Sequence, residues 1–316
     1  LYTLPILIGV NIITFALFFL VNSPDQIAKV HLGQKHVTEE SIQAWKKNRG
    51  YDKPLFYNQE QQGFKKISNT IFFEKSLKLF IFDFGRSDAG RDISYDISQR
   101  MLPSLAIAVP GLILGLFLNI SFAILIVYFR YSYLDFTASI LCVAMMSISM
   151  LFYIIGGQYL FANLLKWVPV SGFAEGWSQI KFLILPVLIG VIGGIGSGTR
   201  WYRTLFLEEI SKEYVKTARS KGLSDRVVLF RHVLKNALIP ILTGVVVLLP
   251  LLFLGSLLTE SFFGIPGLGS YTIDAINQQD FAIVRAMVFL GSFLYVIGLL
   301  LTDLSYTWVD PRVRFQ

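Results

Sequence analysis

The chain has 316 residues, of which 54% are hydrophobic and only 16% are charged, and its formal net charge is +7. Its mean hydropathy is +0.58. Since soluble globular domains carry about 25% charged residues, this composition excludes an ordinary soluble domain and predicts a chain that crosses a membrane several times. The single cysteine, Cys142, excludes a disulfide framework and a cysteine-based metal site. Its place in an apolar run indicates a small buried side chain.

The first membrane span is predicted over residues 4–21, an apolar and uncharged run of about the 17 to 25 residues that cross a bilayer. A cleaved signal peptide is the alternative interpretation. The run is longer than the roughly 7 to 15 residues of a signal-peptide core, and no small-residue cleavage site follows it, so a span is favoured. Because the numbering starts at Leu1 and not at a methionine, we expect that further N-terminal residues precede it.

Residues 22–100 are mixed and charged, which predicts a small aqueous domain made of local helices. One helix is predicted over 39–48 and another over the amphipathic stretch 72–82. His31 and His36 have no acidic or cysteine neighbours at ligand spacing, so they are interpreted as solvated side chains.

Five further spans are predicted over residues 102–128, 136–155, 182–197, 238–258 and 283–301. With the first span they make six, which predicts an all-α integral membrane protein with an external helical domain between spans one and two. Glu260, Arg285 and Asp303 lie close to predicted span ends, where long side chains reach water. Asn119 is interpreted as a partner in an interhelical hydrogen bond.

A charged segment, residues 199–240, separates the fourth span from the fifth. Nine basic and four acidic residues give it a net charge of +5. The sequence predicts a helix over 213–221, a turn at Gly222 with positive φ, and a second helix that runs to Pro240. Ser224 is the predicted N-cap of that second helix, with Asp225 in its first turn.

Several motifs resemble those of one known family. Lys216-Thr217-Ala218, followed after three residues by Gly222, resembles the EAA loop of binding-protein-dependent ABC importer permeases. The longer run YVKTARSKGLSDRVVLFRHVLKNALIP is similar to the oligopeptide and dipeptide branch of these permeases. Four shorter stretches also resemble motifs of that branch: YDKP at 51–54, DFGRS at 83–87, ESFFGIPGLG at 260–269 and DPR at 310–312.

The resemblance implies a type I permease fold and a subunit that forms half of the path for peptides delivered by a binding protein. It also implies that residues 213–221 are the helix that couples to the ATPase, with Gly222 setting the turn, Ala218 allowing close approach, and Lys216, Arg219 and Lys221 offering salt bridges. The expected coupling residues are Glu213, Tyr214, Lys216, Thr217, Ala218, Arg219, Lys221, Gly222 and Leu223.

The chain has no G-x-x-x-x-G-K-[ST] phosphate loop, so no ATP chemistry or cofactor is expected within it. ATP and Mg²⁺ are expected on separate ATPase subunits, of which one or two are expected beside a second permease subunit, an external binding protein and membrane lipid. Nucleic acid is not expected as a partner, because the basic residues alternate with acids and are held against a membrane.

The basic segment is expected in the cytoplasm by the positive-inside rule. This places both termini inside and residues 22–100 outside, in the inner membrane of a bacterium. The predicted organisation is a first span (1–21), an external domain (22–100), a five-helix core (101–309) that contains the coupling loop (199–237), and a cytoplasmic tail (310–316).

The alternative function is a secondary transporter driven by an ion gradient, which would show inverted repeats and ionisable groups in mid-membrane. An intramembrane enzyme would need an HExxH, a GxSxG or a pair of intramembrane carboxylates. The sequence shows none of these features clearly. The cargo stays open among dipeptides, longer peptides, peptide-like antibiotics and nickel chelates, and so do the residues that line the path.

Overall fold

The computed structural model describes residues 3–20, 23–33, 38–59, 61–63, 65–174 and 176–309. Within these ranges the chain is helical, and its only β pairing is one isolated bridge between Arg86 and Asp92. The all-α prediction is confirmed. The DPR motif at 310–312, the tail at 310–316 and His36 lie outside the described residues.

The chain divides into two compact units. The first unit is Leu1–Arg100 with Tyr271–Val296, and the second unit is Met101–Ser270 with Ile297–Gln316. The sequence alone gives no sign that residues beyond 270 group with the first hundred.

The first unit opens with five helices and a 3-10 turn. They are α1 (Thr3–Phe19), α2 (Pro24–Leu32), α3 (Glu39–Arg49), α4 (Lys65–Ser68), α5 (Ile71–Lys75) and the 3-10 turn Leu77–Ile81. Ser23, Thr38 and Thr70 cap α2, α3 and α5, because each side-chain oxygen accepts a bond from a backbone N–H in the first turn. The predicted helix over 72–82 is therefore a short α-helix and a separate 3-10 turn.

An aromatic core holds these helices together. It contains Phe15, Phe19, Trp45, Tyr51 and Ile71, all buried. The His31 ring stacks on Trp45 with centroids 5.5 Å apart, and its Nε2 lies 3.4 Å from an Asp88 carboxylate oxygen. The interpretation of His31 as a solvated side chain is wrong.

The remaining helices follow in chain order. They are α6 (Ile93–Tyr128), α7 (Tyr133–Ser147), α8 (Met150–Gly157), α9 (Ile180–Ile210), α10 (Glu213–Ser220), α11 (Asp225–Val227), α12 (Leu234–Leu251), α13 (Leu257–Phe263), α14 (Leu268–Asn277) and α15 (Phe281–Val309). A π-helical stretch, Gln158–Leu164, follows α8, and another, Val228–Val233, joins α11 to α12.

Four helical stretches are long and apolar enough to cross a membrane: Ile93–Tyr128, Gly176–Ile210, Asp225–Leu254 and Phe281–Ser305. Two bent pairs pass the same test together, α1 with α2 at 61° and α7 with the helix that starts at Met150 at 88°. The predicted number of six spans is met when each bent pair counts as one span.

The third predicted span is not one straight helix. It breaks at Ile148, which has extended backbone, and α8 restarts with Ser149 as its N-cap. The Tyr153 hydroxyl donates to the Met145 carbonyl at 2.9 Å, which satisfies an acceptor at the end of α7.

Two other span limits differ from the prediction. Span four continues past Ser197 to Ile210, because Thr199, Tyr202 and Phe206 recur on one buried helix face. Span five is continuous with the helix that starts at Asp225, and it ends before Gly255, whose φ is +69. The charged segment is therefore two helical extensions with α10 between them, and not a loop.

Two predictions inside the second unit are confirmed. Thr199 Oγ1 donates to Asn119 Oδ1 at 3.1 Å, so Asn119 makes an interhelical hydrogen bond between α6 and α9. A Cβ at Gly198 would come within 2.5 Å of Asn119 Nδ2, so the bond needs a glycine beside it. Cys142 is buried, as predicted.

Candidate functional site

The candidate site is α10 with the turn that follows it. α10 is amphipathic on a small scale: Val215 and Ala218, three residues apart, are buried, while Glu213, Lys216 and Thr217 are exposed. Residues three apart lie on one face of a helix. One face of α10 therefore packs inside the chain and the other face is exposed.

The inner face of α10 belongs to a core that four segments build. Its buried members are Ala123, Ile124 and Val127 on α6; Tyr202 and Phe206 on α9; Val215 and Ala218 on α10; Val228, Leu229, Val233, Ala237 and Ile241 on the helix that becomes span five. Full burial of one valine side chain stabilises a fold by roughly 1.5 to 3 kcal/mol. α10 is thus fastened to the ends of three long helices by apolar contacts.

Polar contacts fix the start of α10. The Glu209 carboxylate, on the last turn of α9, is buried and accepts bonds from the Tyr214 hydroxyl at 2.8 Å and from Lys212 Nζ at 2.5 Å. Burial, together with the bond to Glu209, raises the pKa of Tyr214 to about 12, so its hydroxyl stays protonated and donates at neutral pH.

The outer face of α10 carries two ion pairs. Lys216 Nζ lies 2.7 Å from Glu213 Oε1, and both side chains are largely exposed. Arg219 Nε lies 3.2 Å from Asp225 Oδ1, so this pair reaches across the Gly222 turn. Exposed pairs of this kind stabilise by at most about 1 kcal/mol, so a partner can replace them easily.

Gly222 ends α10 with a left-handed conformation. Its φ is +78, as predicted, and its N–H donates to the Arg219 carbonyl at 2.9 Å. A Cβ built on Gly222 meets no atom within 4 Å. The requirement for glycine therefore comes from backbone conformation and not from lack of space.

The nine predicted residues lie within residues 213–223 and differ in burial. Glu213, Lys216, Thr217, Lys221, Gly222 and Leu223 are exposed, Tyr214 and Arg219 are half-buried, and Ala218 is buried.

Two of the local expectations need correction. Ala218 allows close approach of the chain's own helices and not of a partner, since its methyl group lies in the shared core. Ser224 has the extended backbone of an N-cap, but its side chain makes no capping bond. The sequence analysis also missed Val215, which its spacing from Ala218 on an otherwise polar helix could have shown.

A second ordered feature surrounds Glu260 in the ESFFGIPGLG stretch. Its side chain is fully buried, and its carboxylate accepts bonds from the backbone N–H groups of Ser256 and Ser270, each at 3.1 Å. A Cβ at Gly255 or Gly267 would overlap this carboxylate. Burial raises the pKa of Glu260, and the bonds it accepts oppose that rise. Glu260 does not reach water as predicted, but holds the segment from Gly255 to Ser270 around itself.

The model of one protein family matches residues 111–315; its description is binding-protein-dependent transport system inner membrane component. The chain belongs to this family. It is a permease component of an ABC importer and not an enzyme. It is a multi-pass component of the inner membrane. Membership of the family implies an ATPase and a substrate-binding protein as partners. The family does not support an ion-gradient-driven transporter.

Three relatives illustrate the similarity. The chain is 26% identical to the dipeptide transport system permease protein DppB of Alkalihalophilus pseudofirmus, over 99% of this chain and 96% of that protein. It is 31% identical to a putative peptide transport system permease protein of Brucella abortus, with the same two coverages. It is also 31% identical to the oligopeptide transport system permease protein AppB of Bacillus subtilis, over 74% of this chain and 76% of AppB.

We predict that Gly222→Val destabilises the permease by about 1 to 2 kcal/mol, because a side chain with a Cβ opposes positive φ. Gly222→Asn should have a smaller effect, since asparagine tolerates this conformation best among the other residues. Ser224→Ala is the matched control and should be neutral, because its hydroxyl caps nothing. Unfolding of the purified variants in detergent measures their relative stability. Equal stability of Gly222→Val and Ser224→Ala would refute a conformational role for Gly222.

Proposed function

We propose that this permease forms half of the path for di- or oligopeptides, or peptide-like compounds, which a binding protein delivers. The observation that carries this proposal is the similarity to permeases named for peptides or dipeptides over almost the whole chain. The likeness includes the first hundred residues, which the family model does not cover. A second permease subunit would supply the other half of the path.

We further propose that the exposed face of α10 is the surface that binds the ATPase. Lys216, Thr217 and Lys221 are exposed. Lys221 has no ion pair to a described residue, and Lys216 pairs only with exposed Glu213, which a partner carboxylate can replace. ATP and Mg²⁺ would be bound by one or two ATPase subunits. Closure of those subunits would push on α10, and the shared apolar core would carry the movement to α6, α9 and span five.

A glycine-rich cavity of about 520 Å³ in the second unit is a candidate wall of the path. Gly111 and Gly115 on α6 and Gly190 and Gly194 on α9 line it, together with Trp201. A Cβ at any of these four glycines would meet no described atom within 4 Å beyond the backbone of its own helix and its chain neighbours. Bare backbone therefore faces the cavity, a lining that accepts peptides with many different side chains.

The charge of α10 provides the test of the proposed ATPase surface. Changing both Lys216 and Lys221 to glutamate should reduce co-purification of the ATPase by at least tenfold and abolish peptide uptake, because it reverses two charges at the contact. The matched control changes Lys65 and Lys66 to glutamate and should leave co-purification unchanged. If the variant with Lys216 and Lys221 changed to glutamate bound the ATPase and took up peptide as the wild type does, the assignment of the ATPase surface would be refuted.

The proposed orientation places α10 in the cytoplasm and α3 outside. In a Cys142→Ala background, Ser41→Cys should react with an impermeant maleimide in intact bacteria, whereas Ser211→Cys should react only after the membrane is opened. Ser41 is partly exposed and Ser211 is exposed in the structure. Reaction of Ser211→Cys in intact cells would show that the orientation is reversed.

A further inference from the structure

A small cavity in the first unit has an unusual charge balance. Its volume is about 140 Å³, and the charged side chains that line it are Glu74, Lys75, Lys78, Asp83, Arg86 and Arg285. Four cations thus face two carboxylates. Such an excess of one charge around a small cavity is unfavourable unless an anion offsets it.

Both carboxylates already have cationic partners. Glu74 accepts a bond from Lys53, a residue outside the cavity lining. Asp83 lies 3.9 Å from Lys78 Nζ and also accepts the backbone N–H of Gly85 at 3.2 Å. Lys75, Arg86 and Arg285 are left without an ion pair to any residue in the described part of the chain.

Arg285 is the most constrained of the three cations. It is only 4% exposed, its Nε donates to the Phe281 carbonyl at 3.2 Å, and its guanidinium lies 4.8 Å from the ring centre of Phe19. Its Nη1 is buried without a hydrogen-bond partner. An unsatisfied buried donor costs roughly 1 to 3 kcal/mol, and more when it is charged.

Two buried acids of the first unit, Asp88 and Asp280, do not satisfy Arg285. The Asp280 oxygens accept the backbone N–H groups of Asp88 at 3.0 Å and of Ile283 at 3.2 Å, so Asp280 caps α15. The Asp88 carboxylate faces His31 at 3.4 Å and Arg49 at 3.9 Å. Among the described residues, no carboxylate oxygen lies within the 4.0 Å of Arg285 that an ion pair requires.

Lys75 shows the effect of this crowding. Burial lowers the pKa of its ammonium group, and the positive charge of Arg285 lowers it further. An anion between the two groups would remove this repulsion and supply the missing acceptor. Guanidinium and ammonium groups bind carboxylates and phosphates through short, charge-assisted hydrogen bonds.

We propose that this cavity binds one oxyanion group, a carboxylate or a phosphate, through Lys75, Arg86 and Arg285. A volume of about 140 Å³ admits such a group but not a whole peptide or lipid. Lys75 and Arg86 also line a neighbouring cavity of about 400 Å³, which leaves room for the rest of the ligand. The oxyanion could be the terminal carboxylate of a peptide or the phosphate of a phospholipid. The peptide source rests on the proposed function, and the lipid source does not.

The test uses the purified full-length permease without its ATPase, at constant ionic strength, with inorganic phosphate, Ala-Ala and Ala-Ala-amide as probes. Phosphate and Ala-Ala should raise the unfolding midpoint saturably, whereas the amide, which has no carboxylate, should not. Lys75→Gln and Arg86→Gln should weaken the apparent affinity for phosphate at least tenfold. Lys78→Gln is the matched control, since Lys78 lines the same cavity but is paired with Asp83, and it should change the affinity less than twofold.

Nanodiscs distinguish the two sources. If a lipid phosphate is the occupant, discs of phosphatidylglycerol should abolish the response to phosphate and to Ala-Ala, and Lys75→Gln should release phospholipid that co-purifies with the wild type. If a peptide carboxylate is the occupant, the response to Ala-Ala should persist in those discs. Equal affinities in Lys75→Gln and Lys78→Gln, or no saturable response to phosphate together with no variant-sensitive lipid, would overturn the proposal. Because no ATPase is present, failure of peptide uptake in the assembled importer leaves this result unaffected.

Discussion

The burial of Val215 and Ala218 is the contact on which the proposed coupling depends. A polar helix of eight residues is too short to be stable alone in water, so α10 persists because these two side chains enter a core shared with α6, α9 and the helix of span five. The same contact gives the two faces of α10 different roles in the proposal. In the proposed coupling, the inner face would transmit force to the spans, and exposed Lys216 with the adjoining Lys221 would contact the partner.

Two buried polar side chains, Glu260 and Asn119, fix other parts of the second unit through hydrogen bonds inside the chain. Glu260 organises the glycine-rich segment after span five through backbone donors. The bond between Asn119 and Thr199 ties α6 to α9 at a place where Gly198 keeps the two helices close. Polar groups buried with their partners specify one arrangement, because a shifted helix would leave them unsatisfied. The oxyanion cavity in the first unit differs, since Arg285 keeps an unsatisfied donor there.

The sequence predicted what depends on local chemistry. Hydropathy located the spans, and Gly222 marked the turn because few other residues adopt positive φ. It did not show that Ala218 packs against the chain's own helices, although the spacing of Ala218 from Val215 on an otherwise polar helix indicates a buried face. It also misplaced Glu260, because the backbone groups that bind this carboxylate come from residues up to ten positions away. The sequence also did not predict the break at Ile148, because no proline or glycine marks it.

The central claim is that the inner face of α10 carries the work of the ATPase to the spans. The most direct measurement is the number of ATP molecules hydrolysed per peptide imported by the assembled importer in proteoliposomes. Val215→Ala opens a cavity between α10 and the spans, so the account predicts that the ATPase stays bound and active while this ratio rises severalfold. Val227→Ala, at an exposed position of the same segment, should keep the wild-type ratio. A wild-type ratio in Val215→Ala with the ATPase bound would contradict the account.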